Sequence, residues 1–372
     1  MITKFDNAKI LLENGYVYGN LEVEDGKFVA IDQSESDSYD KIIIPGFIDQ
    51  HTHGGDGLDF STVKNLDELE KLLSFYVRHG VTSVFPTLLT ESDELIFRQS
   101  ELIYEASKTH PEIKGIHLEG PFLSKEFKGA QLEKYLQIPT IEKCKKFIEH
   151  SHGLFKLMTI APENPNTEEV VKFLVENGIQ VTMGHSNATF DETKKAKEAG
   201  AKCLTHCFNA SKGIHQHFPS ITMAGLYFDD LYTEVILDGI HVHREMVEFI
   251  RKIKTNDKLI GITDSLMCAG LPNGDYMIGN TPIVVKDGDC KIKGTDTRAG
   301  SCLIMDQAFK NIKEFTKVDD KEASKMCSLN SARMLKMDDK IGSIKVGKNA
   351  DFIVLDKNNV IQEVYINGEK KF

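Results

Sequence analysis

The chain has 372 residues, 41% of them apolar and 27% charged, with a formal net charge of −11. That balance suits a globular protein of one large domain and a smaller one. An acidic total argues against a nucleic-acid backbone as partner, while a small anion in a locally positive pocket stays open.

No run of about 18 apolar residues is present to span a membrane. The opening stretch, Met1 to Asn7, lacks the apolar core of a signal peptide. The seven cysteines are scattered, odd in number and without a C-x-x-C pair, which fits free thiols in a reducing cytoplasm. Residues 8–32 read as short strands punctuated by Asn14-Gly15, Gly19-Asn20 and Asp25-Gly26. A similar pattern returns at Phe352 to Asp356 and Val360 to Gly368. Neither end has enough strands to be comfortable alone. The two are therefore expected to pair into one small β-domain, residues 1–46 with 341–372, around an inserted domain of residues 47–340.

The run from Ile42 to His53 reads as a buried strand that ends in His-x-His. Residues two apart on a strand share a face, so His51 and His53 aim the same way and can grip one metal ion. An amphipathic helix follows from Asn65 to Gly80, then a β-branched strand from Val81 to Phe85. The alternation continues with helices over about 93–108, 167–177, 189–199 and 244–253. Strands are expected over 113–119, 155–160, 179–185, 201–206, 233–238 and 259–264. About eight strand-to-helix steps over roughly 290 residues predict a parallel (β/α)₈ barrel. A doubly wound open sheet is the rival, but no Gly-rich dinucleotide turn is present.

Barrel active sites sit at the C-terminal ends of the strands. Here those ends carry His51 and His53, His117 and Glu119, His185, His206, Asp238 with His241 and His243, and Asp264. Any one of these can be a satisfied core residue, but burying so many polar groups unpaired costs a few kcal/mol each. Glu119, His185 and His206 make a three-ligand set for a divalent ion with positions left open. His51 and His53, sharing Glu119, can hold a second ion at the roughly 3.5–4 Å spacing of paired-metal sites. Asp264 is the best general base, taking a proton from water and returning it to a leaving nitrogen; its alternative is an N-cap for a following helix. Cys203 and Cys207 flank His206, a spacing better explained by burial of small apolar residues than by zinc.

Three runs are the most distinctive: His117-Leu118-Glu119-Gly120-Pro121-Phe122, Gly184-His185-Ser186-Asn187-Ala188-Thr189, and Thr205-His206-Cys207-Phe208-Asn209-Ala210. With Pro45-Gly46-Phe47-Ile48-Asp49, Asp238-Gly239-Ile240-His241, Thr263-Asp264 and the tail from Gly342 to Asp351, they resemble the amidohydrolase superfamily over nearly the full length. Within it the chain looks most like the branch that deacetylates phosphorylated amino sugars. The resemblance implies a barrel of the amidohydrolase type with a small β-sandwich built from both termini. It implies a divalent ion (zinc, iron, manganese or cobalt), one or two per subunit, on Glu119, His185, His206, His51 and His53. It implies Asp264 as the catalytic residue, His241 at the sugar phosphate or the hydrolysed group, Asn209 and Ala210 on a loop whose backbone holds phosphate, and a homodimer.

Two positions depart from the family pattern. His217 stands where an arginine usually reaches the phosphate, often from the neighbouring subunit, and an imidazole is only partly charged where a guanidinium always is. Gln131 stands where many members place a histidine that touches substrate. The implied reaction is hydrolysis of the acetamide of N-acetylglucosamine 6-phosphate. The galacto epimer is the near alternative, and a non-catalytic sugar-phosphate binder is the alternative from another class. Dihydroorotase-like or deaminase-like chemistry fits the Glu-Gly-Pro run less well.

Overall fold

Eight parallel strands form one sheet whose spatial order follows the chain. They are β1 (Phe47–Thr52), β2 (Val81–Leu88), β3 (Ile116–Glu119), β4 (Phe155–Ile160), β5 (Gln180–Met183), β6 (Cys203–Leu204), β7 (Tyr232–Ile236) and β8 (Leu259–Ile262). The computed structural model describes residues 2–278 and 281–372. Nearly every strand residue is buried, as expected where helices cover one face of a parallel sheet and the barrel interior fills the other. The sheet curls until β1 meets β8. There the Asp264 N–H donates to the His51 carbonyl at 2.9 Å, and Thr263 Oγ1 donates to the buried Asp49 carboxylate at 2.6 Å.

The outer helices form where apolar residues recur at three and four. Leu66–Arg78 buries Leu69, Leu72, Leu73 and Tyr76, and it starts at Asn65, whose side chain accepts the Glu68 N–H at 3.0 Å. Phe190–Ala199 opens on a reciprocal capping box between Thr189 and Glu192. Two helices, Ile141–His150 and Ile221–Tyr227, fill steps for which the sequence predicts no helix. Both are short. The first carries only the narrow apolar stripe of Ile141, Cys144, Phe147 and Ile148 among charges, so its period is easily missed. β6 is shorter than the predicted 201–206 because the backbone turns away at Thr205 and His206.

The termini form a seven-stranded mixed sheet. Its order is Glu369–Lys370, Ile361–Ile366, Phe352–Leu355, Lys41–Pro45, Thr3–Leu12, Gly15–Glu24, Lys27–Gln33, which interleaves the two ends of the chain. Phe5, Ile10, Leu21, Phe28, Ile43 and Phe352 build a core of their own beneath it. The strand Lys41–Pro45 runs straight into β1 through Gly46, where a Cβ would come within 2.0 Å of Thr82 Oγ1, so the passage admits only glycine.

A three-stranded antiparallel sheet (Gly274–Ile278, Thr281–Lys286, Asp289–Ile292) is inserted after β8. No strand is predicted here from the sequence, although Asp287-Gly288 marks the second turn of this sheet. From it the chain returns to the barrel mouth, where the Ser301 N–H donates to the Asp264 carbonyl at 2.8 Å and the Leu266 N–H to the Ser301 carbonyl at 3.0 Å. Residues after Asp264 form a bridge and a turn, so no helix starts there for Asp264 to cap.

Candidate metal centre and active site

The barrel gathers side chains from strand ends that are far apart in sequence. His51 lies within β1 and His53 just past it; Glu119 is the last residue of β3. His185, His206 and Asp264 each lie two residues beyond β5, β6 and β8. These three share a backbone feature: φ is +47° at His185, +24° at His206 and +48° at Asp264. Left-handed backbone at a non-glycine residue costs of order 1–3 kcal/mol. It ends each strand abruptly and turns the side chain inward over the mouth.

Glu119 is the hub. Its Oε1 lies 3.0 Å from His185 Nε2, 3.1 Å from His206 Nε2 and 3.2 Å from His51 Nε2. Its Oε2 lies 3.2 Å from His53 Nε2 and accepts from Gln131 Nε2 at 2.5 Å. Asp264 Oδ1 lies 3.2 Å from His53 Nε2 and 3.7 Å from His51 Nε2. All seven of these groups are buried, with Asp264 the most open at 8%.

The opposite edges of the imidazoles decide what the cluster can hold. His51 Nδ1 faces the Glu234 carboxylate at 3.2 Å, His53 Nδ1 the Thr87 carbonyl at 3.2 Å, and His185 Nδ1 the Phe127 carbonyl at 3.0 Å. Those oxygens only accept, so each Nδ1 carries a proton and each neutral ring turns a bare Nε2 lone pair inward. His185 Nε2 and His206 Nε2 then face each other at 3.1 Å, and buried His51 Nε2 has no hydrogen-bond partner. Lone pairs converging on carboxylate oxygens repel unless a cation sits among them. A proton on Nε2 meets the same demand for positive charge as an ion would, and the ring pKa values rise accordingly. Burial opposes the charged forms of His51 and His53, but Glu119 and Asp264 outweigh it and hold His51 well above the ordinary imidazole range and His53 up to about 9. Glu119 and Asp264 are conversely held low, against burial, by His185, His51 and His53. Two triads, His51–His53–Glu119 and Glu119–His185–His206, have ligand atoms close enough to share an ion each. The imidazole and carboxylate donors fit zinc, iron, manganese or cobalt.

His117, also at a strand end, does something else. Thr87 Oγ1 at 3.2 Å and Thr159 Oγ1 at 2.8 Å hold it inside the barrel, and burial lowers its pKa well below the ordinary value. Cys203 and Cys207 are buried free thiols outside both triads.

A cleft of about 380 Å³ opens over this floor. Gln131, Asn209, Ala210 and His241 all line it. Gln131 is fixed at both ends, its Oε1 accepting the Thr90 N–H at 2.9 Å while its amide donates to Glu119. Asp238 orients His241, its carboxylate taking Nδ1 at 2.6 Å and the His241 N–H at 2.8 Å. The loop after Glu119 is a wall of the cleft at Phe127, Gly129 and Ala130, whereas Lys125 pairs with Glu133 on its outer side. His217 is exposed on the loop after Ser211 and does not line the cleft of its own chain.

Two residues that the sequence reading did not single out complete the picture. Glu234, on β7, takes Gln50 Nε2 at 2.6 Å, His51 Nδ1 at 3.2 Å and the His206 N–H at 3.3 Å, so one buried carboxylate orients two candidate ligands. A glutamate inside an otherwise apolar strand was the available signal. Arg298 lines the cleft from the inserted segment, and nothing local in the sequence points to it.

The amidohydrolase family profile matches residues 42–371. The chain is 33% identical over 345 residues to N-acetylglucosamine-6-phosphate deacetylase of Lysinibacillus sphaericus, covering 91% of this chain and 87% of that protein. It is 31% identical over 368 residues to N-acetylgalactosamine-6-phosphate deacetylase of Escherichia coli O157:H7, covering 97% of each. The crystal structure of N-acetylglucosamine-6-phosphate deacetylase from Thermotoga maritima superposes with a TM-score of 0.93 at 33% identity, covering 100% of this chain and 99% of that one.

Proposed function

The chain belongs to the amidohydrolase family, and from that premise we propose that it hydrolyses the acetamide of N-acetylglucosamine 6-phosphate to glucosamine 6-phosphate and acetate. The observation that carries this reading is the buried cluster in which four imidazole Nε2 atoms converge on Glu119 at the mouth of a barrel, with Asp264 against His51 and His53. Similarity to deacetylases of phosphorylated amino sugars along nearly the whole length supports the substrate class.

In this reading Glu119, His185 and His206 hold the principal divalent ion, with His51 and His53 offering a second position beside it. A bound divalent ion supplies Lewis acidity, polarising the acetyl carbonyl and easing deprotonation of water. Asp264 stays a carboxylate because His53 and His51 favour its charged form. It therefore accepts the proton of the attacking water, and the acid so formed returns that proton to the amide nitrogen as the C–N bond breaks. Gln131 holds one oxygen of Glu119 and presents its own edge to the cleft. Asn209, Ala210 and His241 bind the sugar phosphate at the rim, with Asp238 keeping the His241 ring turned toward the cleft.

The enzyme works in the cytoplasm as a homodimer in this reading. The free cysteines support the first part. Exposed Ile214 and Phe218 on the His217 loop, with exposed Tyr227 nearby in sequence, support a covered face.

Acetate release from N-acetylglucosamine 6-phosphate by purified, metal-loaded protein tests the proposal, with the galacto epimer assayed in parallel. Faster release from the galacto compound transfers the assignment to the epimer. No acetate from either rejects it.

A further inference from the structure

We propose that Arg298 grips the phosphate of the substrate and so sets the preference for phosphorylated over free amino sugars. This rests on the deacetylase reading for its substrate class and deepens it. The reacting amide must lie on the buried floor, so the 6-phosphate must reach toward the rim. Glu126 and Asp296 line that rim, both acidic, and repel a phosphate. Arg298 is the one lysine or arginine among the described residues lining the cleft.

Its side chain is held in place. Arg298 Nε donates to Asp289 Oδ1 at 2.8 Å and Nη2 to Asp289 Oδ2 at 3.0 Å, a two-point pairing between the segment that follows the inserted sheet and the start of its last strand. That pairing uses one edge of the guanidinium and leaves Nη1 free to donate, with the side chain 37% exposed. A guanidinium fixed on one edge loses little conformational freedom when its other edge takes an anion. The backbone beyond it is tied to the floor, since the Ser301 N–H donates to the Asp264 carbonyl and Ser301 forms a parallel bridge with Ser265. The rim cation and the floor base thus ride on one hydrogen-bonded unit. His217, at the position from which the family's arginine often reaches the phosphate of the neighbouring subunit, is exposed and does not line the cleft of its own chain.

Arg298→Met and Arg298→Lys test the assignment against N-acetylglucosamine with and without the 6-phosphate. Loss of a charge-assisted pair predicts a rise in KM for the phosphorylated sugar on the order of 10- to 100-fold in Arg298→Met. kcat/KM for the free sugar stays within about three-fold, and Arg298→Lys falls between. Equal loss for both sugars, or no change for either, overturns the assignment. Glucose 6-phosphate, which has no amide to cut, separates this proposal from the deacetylase reading when its binding is measured by calorimetry. Weaker binding to Arg298→Met than to wild type upholds the anion grip even if no acetate is ever released. Equal binding to both proteins, or none to wild type, overturns it.

Discussion

The floor and the rim of the same cleft are built differently. Floor groups are at most 8% exposed and sit at strand ends, and three of their rings are held from behind by distant segments: His51 by Glu234 on β7, His53 by Thr87 on β2 and His185 by Phe127 on the loop after β3. Rim groups come from loops: Asn209, Ala210 and His241 are half-buried, and Arg298 is more open. Under the proposed reaction the floor has to place atoms to within tenths of an ångström around an ion and a reacting carbonyl, a precision that packed strands supply. In the same proposal the rim recognises a charged group at a distance, for which loops carrying one or two oriented side chains suffice. The same division predicts that floor substitutions strike turnover and rim substitutions strike affinity.

Asp264→Asn breaks the division most sharply. Turnover should fall by about 10²–10⁴-fold or more while the metal content of the purified protein is unchanged. A near wild-type rate removes Asp264 from the mechanism. Glu119→Gln comes next, because one residue serves both ligand triads. Metal content should drop on dialysis, together with the stabilisation that a bound ion confers, about 2.7 kcal/mol at a hundredfold excess over Kd. Retention of stoichiometric metal and an unchanged Tm after dialysis count against the hub.

Glu234→Gln sharpens the floor's outer boundary. It keeps the shape but weakens the acceptor for His51 Nδ1, and metal affinity or activity should fall by about 10- to 100-fold. An effect on fold stability alone, with metal affinity intact, makes Glu234 a packing residue. His241→Asn is the smallest of the four. It should raise KM for the phosphorylated sugar by about ten-fold with kcat within a few-fold, as expected for a single hydrogen bond to a charged group. A collapse of kcat instead moves His241 from the rim to the floor.

Much of this arrangement was legible in the chain. The strands' β-branched runs and the helices' three-and-four spacing outlined the barrel, because each element's apolar period reflects which face it must bury. The polar residues at strand ends then marked the floor, since a parallel barrel sends all those ends to one face. Helix Ile141–His150 was harder because its apolar stripe is narrow, and the inserted three-stranded sheet was missed although its Asp287-Gly288 turn was visible. Gln131 and Asn209 were found through resemblance, which tells position along the chain but not what a side chain touches.

Residue order alone settled which groups could meet: two histidines on one face of a strand, a carboxylate and further histidines at later strand ends, and an aspartate at the last. It could not settle orientation, because a ring's tautomer depends on the atom behind it, and for His51 that atom belongs to Glu234 on a strand far along the chain. Nor could it place Arg298 on the cleft or His217 off it. Those positions follow from where loops are pinned by hydrogen bonds between distant segments, such as Ser301 to Asp264, and only the folded chain brings such segments together.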